Sequence, residues 1–235
     1  MCFSATASFV SAAGLAAIGM AIQIRLKKQG DKSISSQAIA ILPLIFGFHQ
    51  LIEGFVWLGL TGTIDDNFVL FLGYLYVFIA FTFWPIYIPF AIITFNQCTP
   101  KIWLVSLQVL GLLVGGYLFY VYVFYDPVEV FLACGFYSGC HGIIYSVKDP
   151  LFSGYMKYPY LIAVTIPFFL CSNTRVCYIL GPAILLSFPL GLFLSEAATF
   201  PSVWCFIAAL LSGLVFFVLR SESEGQGIKK LGRRW

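Results

Sequence analysis

The sequence predicts an all-α integral membrane protein. The expected architecture is a seven-helix bundle, N-terminus outside and C-terminus cytoplasmic, with one longer external segment between helices 4 and 5. Three observations predict it. Of 235 residues, 60% are hydrophobic and 10% charged, with a mean hydropathy of +0.94. A soluble domain carries roughly a quarter charged residues, so so few charges could not cover a soluble fold. The apolar residues fall in continuous runs of about 20, the length that crosses a bilayer core. Barrel strands would instead alternate in shorter segments. Finally, the basic residues gather on alternate loops. This composition excludes a soluble enzyme, a nucleic-acid binder and a disordered chain.

The spans follow in order. The first runs from Phe3 to Ile24, the second from Gln37 to Leu60, the third from Phe68 to Phe95 and the fourth from Ile102 to Phe124. The fifth lies near Met156 to Cys171, the sixth from Cys177 to Ser195 and the seventh from Pro201 to Leu219. Nothing basic precedes the first apolar run, so it reads as an inserted helix rather than a signal peptide. Residues 1–220 form a single transmembrane domain. Residues 221–235 form a short basic tail suited to the anionic lipids of the inner leaflet.

Charge sets the orientation. Arg25, Lys27, Lys28, Lys32, Lys101, Arg175, Arg220, Lys229, Lys230, Arg233 and Arg234 fall on one side of a seven-span chain. Only Lys148 and Lys157 fall on the other, with Asp65, Asp66, Asp126, Glu129, Asp149 and Glu196. The basic side is cytoplasmic, which places the chain in the inner, or plasma, membrane. Glu129 to Val147 is apolar enough for an eighth span, but that choice puts the basic tail outside. The segment is therefore expected outside, as a hairpin, a re-entrant turn or an interfacial helix.

The first span is dominated by Ala, Ser and Gly. Small residues let helix backbones approach closely in lipid, so this helix is expected at the centre of the bundle with little lipid exposure. Trp57, Trp204, Tyr117, Tyr120, Tyr122, Tyr125, Tyr155, Tyr158 and Tyr160 lie near the outer boundary and Trp103 near the inner one, as in an aromatic belt. Pro43, Pro85, Pro89, Pro167, Pro182 and Pro189 lie inside spans. Each removes a backbone hydrogen bond, and the freed carbonyl needs another partner.

The second span contains FGFHQLIEGFVW. Glu53 is the only acid in any span, and an embedded carboxylate costs about 2.5 kcal/mol or more unless paired or protonated. His49 and Trp57 lie four residues to either side, on the same helix face, and Gln50 borders it. This cluster reads as a proton, cation, metal or ligand site. The bland alternative is a hydrogen-bonded staple between helices.

The other histidine is His141, in the external CGFYSGCHG. His49, Glu53 and His141 could together supply a two-His-one-carboxylate set with an open position, as catalytic zinc sites do, and Cys2 or Cys140 could add a thiolate. No paired-ligand spacing such as HExxH supports it. Cys134 and Cys140 flank a Gly-containing turn on the oxidising side and could pair, or either could pair with Cys2. Cys98, Cys171 and Cys177 are expected reduced, and Cys205 reads as a small core residue. A retinal protein needs a lysine inside a helix, and none is present. Bis-His haem is disfavoured because His141 lies outside the spans.

The opening MCFSATASF and the segment FGFHQLIEGFVWLGL resemble a family of uncharacterised bacterial multi-pass membrane proteins. Those proteins begin in nearly the same way and carry Gln–x–x–Glu–Gly in the second helix, matched here by Gln50, Glu53 and Gly54. The resemblance implies a membrane location and no established activity. It also suggests that Cys2, Ser4 and Thr6 contact the Glu53 face.

Taken together, these features predict an outward-facing polar pocket centred on Glu53 that binds, senses or transports a small solute or cation. His49 and Gln50 would orient the ligand or exchange protons with it. A membrane-embedded, metal-dependent hydrolytic enzyme using His49, Glu53 and His141 is the first alternative. A structural or assembly subunit is the second.

Overall fold

The computed structural model describes residues 4–30, 33–95, 101–125, 127–135, 139–146, 155–170, 175–194 and 199–216. Nine α-helices are described: α1 (Ala5–Gln29), α2 (Ile34–Ala40), α3 (Leu42–Leu60), α4 (Asp66–Val77), α5 (Trp84–Phe95), α6 (Lys101–Tyr120), α7 (Lys157–Leu170), α8 (Arg175–Leu194) and α9 (Phe200–Ser212). They merge into seven helical bodies that follow the seven apolar runs. Five bodies are long and apolar enough to cross a membrane, while those at 157–170 and 200–216 are shorter. Large apolar side chains such as Val10, Leu113, Leu186 and Phe193 stand exposed around the outside. Such an exterior suits lipid better than water.

The breaks inside the bodies have sequence causes. Pro43 lies in the first turn of α3, where a missing N–H costs nothing, and separates α3 from α2. A π turn at Phe78–Phe83 joins α4 to α5 just before Pro85. Pro85 has no N–H to return to that turn. Asp65 caps α4, accepting from the Asn67 and Phe68 amides. Gly30 closes α1 at φ 70°, the left-handed conformation glycine adopts freely.

The central helix is α3. It packs on α1, α4 and α9, and α5 packs on α2, α6 and α7. The α5–α6 contact is close because Gly111 faces the Pro85 carbonyl, where an added Cβ would lie 1.9 Å from the oxygen. That carbonyl lacks its intrahelical donor because position 89 is proline.

Helix α1 corrects the expectation of a central position. Its buried residues are Ser8, Ala12, Leu15, Gly19, Ile22 and Leu26, one stripe at heptad spacing. The stripe lies against α3 and, more lightly, α9. Val10, Met20 and Ile24 on the other side are exposed. Small residues did permit close approach, since a Cβ on Gly47 would lie 3.2 Å from the Ala12 carbonyl. They did so on one face, which leaves the helix at the periphery.

The all-α expectation is corrected by the segment after α6. It forms an antiparallel hairpin, β1 (Glu129–Gly135) and β2 (Gly139–Ser146), so the eighth helical span is overturned as well. Val130, Phe131, Ile143 and Ile144 are the β-branched and aromatic residues that strands favour. The pairing runs from Glu129 opposite Ser146 to Gly135 opposite Gly139. A register shift between Ala133 and Cys134 leaves His141 at a bulge. The hairpin is docked on the bundle: Ile143 and Tyr145 are buried, Val130 packs at Gly73 of α4, and Gly142 faces Thr199 before α9.

Candidate functional site

The site forms where α3, the end of α4, α9 and β2 meet. On α3, His49, Gln50, Glu53 and Trp57 are all buried, as one helix face requires. Two neighbours hold the Glu53 carboxylate. Gln50 Nε2 donates to Oε2 at 3.1 Å, and Ser202 Oγ on α9 donates to Oε1. Glu53 is also close enough to interact electrostatically with Tyr76, Tyr145 and Cys205. Among the described residues, no Lys or Arg is in this group.

His49 Nε2–H donates to the Tyr76 carbonyl at 3.2 Å. A carbonyl can only accept, so Nε2 carries a proton, and in the neutral ring Nδ1 is then an acceptor. The imidazole lies on the Tyr76 ring with centroids 4.1 Å apart, and Tyr76 stacks on Tyr145 at 4.0 Å and 3°. The three rings form one stack leading from α3 to the hairpin. The π turn helps build the site. Its displaced carbonyls need donors from elsewhere; one is Ala80 O, which accepts from the Tyr160 hydroxyl at 2.6 Å.

Several buried polar atoms around the carboxylate have no partner among the described residues. They are His49 Nδ1, Gln50 Oε1, Trp57 Nε1 and the Tyr145 hydroxyl. The Tyr76 hydroxyl has no nitrogen or oxygen partner, and its neighbour is the Cys205 thiol, a weak hydrogen-bonding group. Buried polar groups are normally hydrogen-bonded, and leaving one unsatisfied costs about 1–3 kcal/mol. Three acceptors (Glu53, Gln50 Oε1 and His49 Nδ1) share one helix face.

The expectations divide here. Glu53, His49, Gln50 and Trp57 come together as their spacing requires. Trp57 points inward, as do Tyr122 and Tyr160, which removes these three from the aromatic belt; Tyr122 instead pairs with Thr82 at 2.8 Å. Tyr120, Tyr125, Tyr155, Tyr158 and Trp103 remain exposed. Ser4 caps α1, accepting from the Ala7 amide at 3.2 Å, and Thr6 is exposed. No hydrogen bond from either to Glu53, Gln50 or His49 occurs among the described residues, and the buried hydroxyl at this end of α1 is that of Ser8. Cys2 lies outside the described residues. Sequence reasoning missed Ser202, Tyr76, Tyr145 and Cys205. Ser202 and Cys205 occupy adjacent turns of α9, and no local pattern distinguishes them from other small residues.

No group of three or more His, Cys, Asp or Glu side chains able to hold a metal occurs among the described residues. The side chains of His141 and Cys140 lie outside them. Cys134 is disulfide-bonded, and the register places Cys140 opposite it. Cys177 is also disulfide-bonded, contrary to the expected reduced thiol. The expectation assigned redox state from the side of the membrane alone, whereas pairing depends on whether backbone geometry brings two sulfurs together.

Two cavities lie beside the cluster. One is walled by Phe46, Trp84, Tyr160, Phe168, Trp204 and Cys205. The other shares Tyr160, Trp204 and Cys205 and extends to Lys157.

Apolar helices around one buried, incompletely satisfied polar cluster define a helical membrane-protein class with an embedded carboxylate centre. The chain belongs to a family of unknown function, DUF6629, which matches residues 1–229. No curated protein and no solved structure matches the chain.

Proposed function

We propose that this is a seven-span protein of the inner, or plasma, membrane, with its N-terminus outside and its C-terminus cytoplasmic. It binds, senses or transports a small solute or cation at a polar site centred on Glu53. The observation that carries this reading is the surplus of unpartnered polar atoms around a single buried carboxylate. Acceptors predominate on the α3 face, which suits a ligand that brings positive charge and donors. Because Glu53 is only 2% exposed, the site is closed in this conformation. The Tyr145 hairpin lies on the side from which an outward opening would form. The orientation rests on the distribution of basic residues.

The experiment is a cation panel on the full chain reconstituted in liposomes. Sodium, potassium, ammonium and magnesium are added singly, and the thermal midpoint and ion uptake are recorded. The wild type responds to at least one cation, and Glu53→Gln loses that response while remaining folded. A wild type indifferent to the whole panel, or an equal response from Glu53→Gln, defeats the reading. Elemental analysis bears on the metal-dependent enzyme built on His49, Glu53 and His141, which requires a bound transition metal in the purified protein. The structural alternative is favoured by the two bonds that already hold Glu53, from Gln50 and Ser202. It predicts that Glu53→Gln lowers stability and changes nothing else.

A further inference from the structure

The β1–β2 hairpin covers the Glu53 cluster without being part of the helical frame. That frame is tied by polar bonds. Ser202 joins α9 to α3 through Glu53, His49 joins α3 to the Tyr76 carbonyl of α4, and Tyr160 of α7 reaches the Ala80 carbonyl. The hairpin rests on the frame through β1 on α4 and β2 on α9, more lightly than α3 packs on α1, α4 or α9. Its docking contacts are small and apolar or aromatic. Val130 sits over Gly73, Thr199 faces Gly142, and Ile143 is buried.

Tyr145 carries the hairpin into the cluster. It is 5% exposed, its ring lies on Tyr76, and Tyr76 lies in turn on His49. It is close enough to Glu53 to interact electrostatically. Its hydroxyl has no partner among the described residues. A buried hydroxyl without a partner is unfavourable, and lifting the hairpin returns it to water, which lowers the cost of lifting. Because Glu53 is buried, a ligand reaches it only if part of its cover moves. Moving α4 or α9 breaks the bond to His49 or to Glu53. Moving the hairpin leaves both bonds in place.

We infer that the hairpin is a lid over the Glu53 cluster, with Tyr145 as its plug. The inference rests on the reading of Glu53 as a ligand site and adds how that site is reached. Docked, the Tyr145 ring closes the cluster; lifted, it uncovers the polar face of α3 while Gln50 and Ser202 keep hold of the carboxyl group.

Gly73 and Val130 offer a lock. An added Cβ on Gly73 would lie 3.7 Å from the Val130 Cβ, within the roughly 3.5–4.5 Å that a disulfide spans between Cβ atoms. The full chain carrying Gly73→Cys and Val130→Cys is oxidised and compared with its reduced form, and wild type taken through the same steps controls for the native disulfides. In nanodiscs, a charged methanethiosulfonate reagent is added and its modification of Cys205, the thiol beside Tyr76 and Glu53, is timed by mass spectrometry. In liposomes, the Glu53-dependent cation response is recorded. Locking should slow the modification by about tenfold or more, as blocking a local opening does, and abolish the cation response; reduction should restore both. Gly142→Cys with Thr199→Cys serves as the lock if the first pair does not fold or close. Equal modification of Cys205 in locked and unlocked protein overturns the inference, and so does an absence of modification in the unlocked protein. If the locked protein keeps its cation response, the lid falls and the Glu53 site stands. If locking protects Cys205 while no cation gives a Glu53-dependent response, the lid stands and the ligand reading falls.

Discussion

Ser202 on α9 donates its hydroxyl to the Glu53 carboxylate on α3, joining residues 149 positions apart. With Gln50 on the other oxygen, the bond holds a buried carboxyl group between two helices. Removing it leaves a buried oxygen with one partner fewer. Ser202→Ala is expected to destabilise the protein by about 1–3 kcal/mol. Thermal unfolding in detergent would check this, and an unchanged midpoint would mean that the hydroxyl is not needed there.

Tyr145 separates a structural from a ligand role. Its ring stacks on Tyr76 while its hydroxyl has no partner among the described residues. Tyr145→Phe keeps the ring and removes an unsatisfied group, so stability should hold or rise slightly. Tyr145→Ala removes the stack and should cost about 3–5 kcal/mol, as large-to-small aromatic substitutions do, and expose the hairpin to protease. Melting curves and limited proteolysis read both effects. Equal loss in the two variants would show that the hydroxyl has a partner after all.

The α5–α6 contact admits a paired test. Gly111→Ala sets a methyl 1.9 Å from the Pro85 carbonyl, a backbone atom with little freedom to move. Overpacking of this kind costs about 1–3 kcal/mol or more. Gly116→Ala, on the same helix, meets nothing within 4 Å and should gain about 0.5–1 kcal/mol from helix propensity. A smaller loss at position 111 than at 116 would argue against this packing.

His49→Phe retains an aromatic ring against Tyr76 and loses the bond to the Tyr76 carbonyl. A loss of about 1–2 kcal/mol is expected, because the Tyr76 carbonyl in the last turn of α4 loses its donor from His49. If His49 also contributes to a ligand site, the variant loses the cation response beyond what its melting temperature explains. A wild-type response in a stable His49→Phe protein would restrict the histidine to packing.

The orientation can be checked on the hairpin. After reduction, an impermeant thiol reagent added to intact cells should label Cys134 or Cys140. Labelling only after the membrane is permeabilised would reverse the proposed orientation.

The sequence by itself determined the solvent and the local structure. Hydropathy sums along the chain, so apolar runs marked every helical body, five of them long enough to cross a bilayer, and Pro43 and Pro85 marked where two of those bodies break. It also singled out Glu53, because one acid among apolar spans is visible without knowing its neighbours, and helical periodicity added His49, Gln50 and Trp57 to the same face. What periodicity cannot supply is the partner across a gap. Ser202, Tyr76, Tyr145 and Cys205 reach Glu53 only because α9, α4 and the hairpin pack against α3, and packing depends on complementary surfaces distant in sequence. The same limit misplaced α1, whose small residues permit close approach on any face while the fold uses one. The hairpin was open for a related reason. A short apolar run suits a strand or a helix equally, and tertiary contact with Gly73 and Thr199 decided between them.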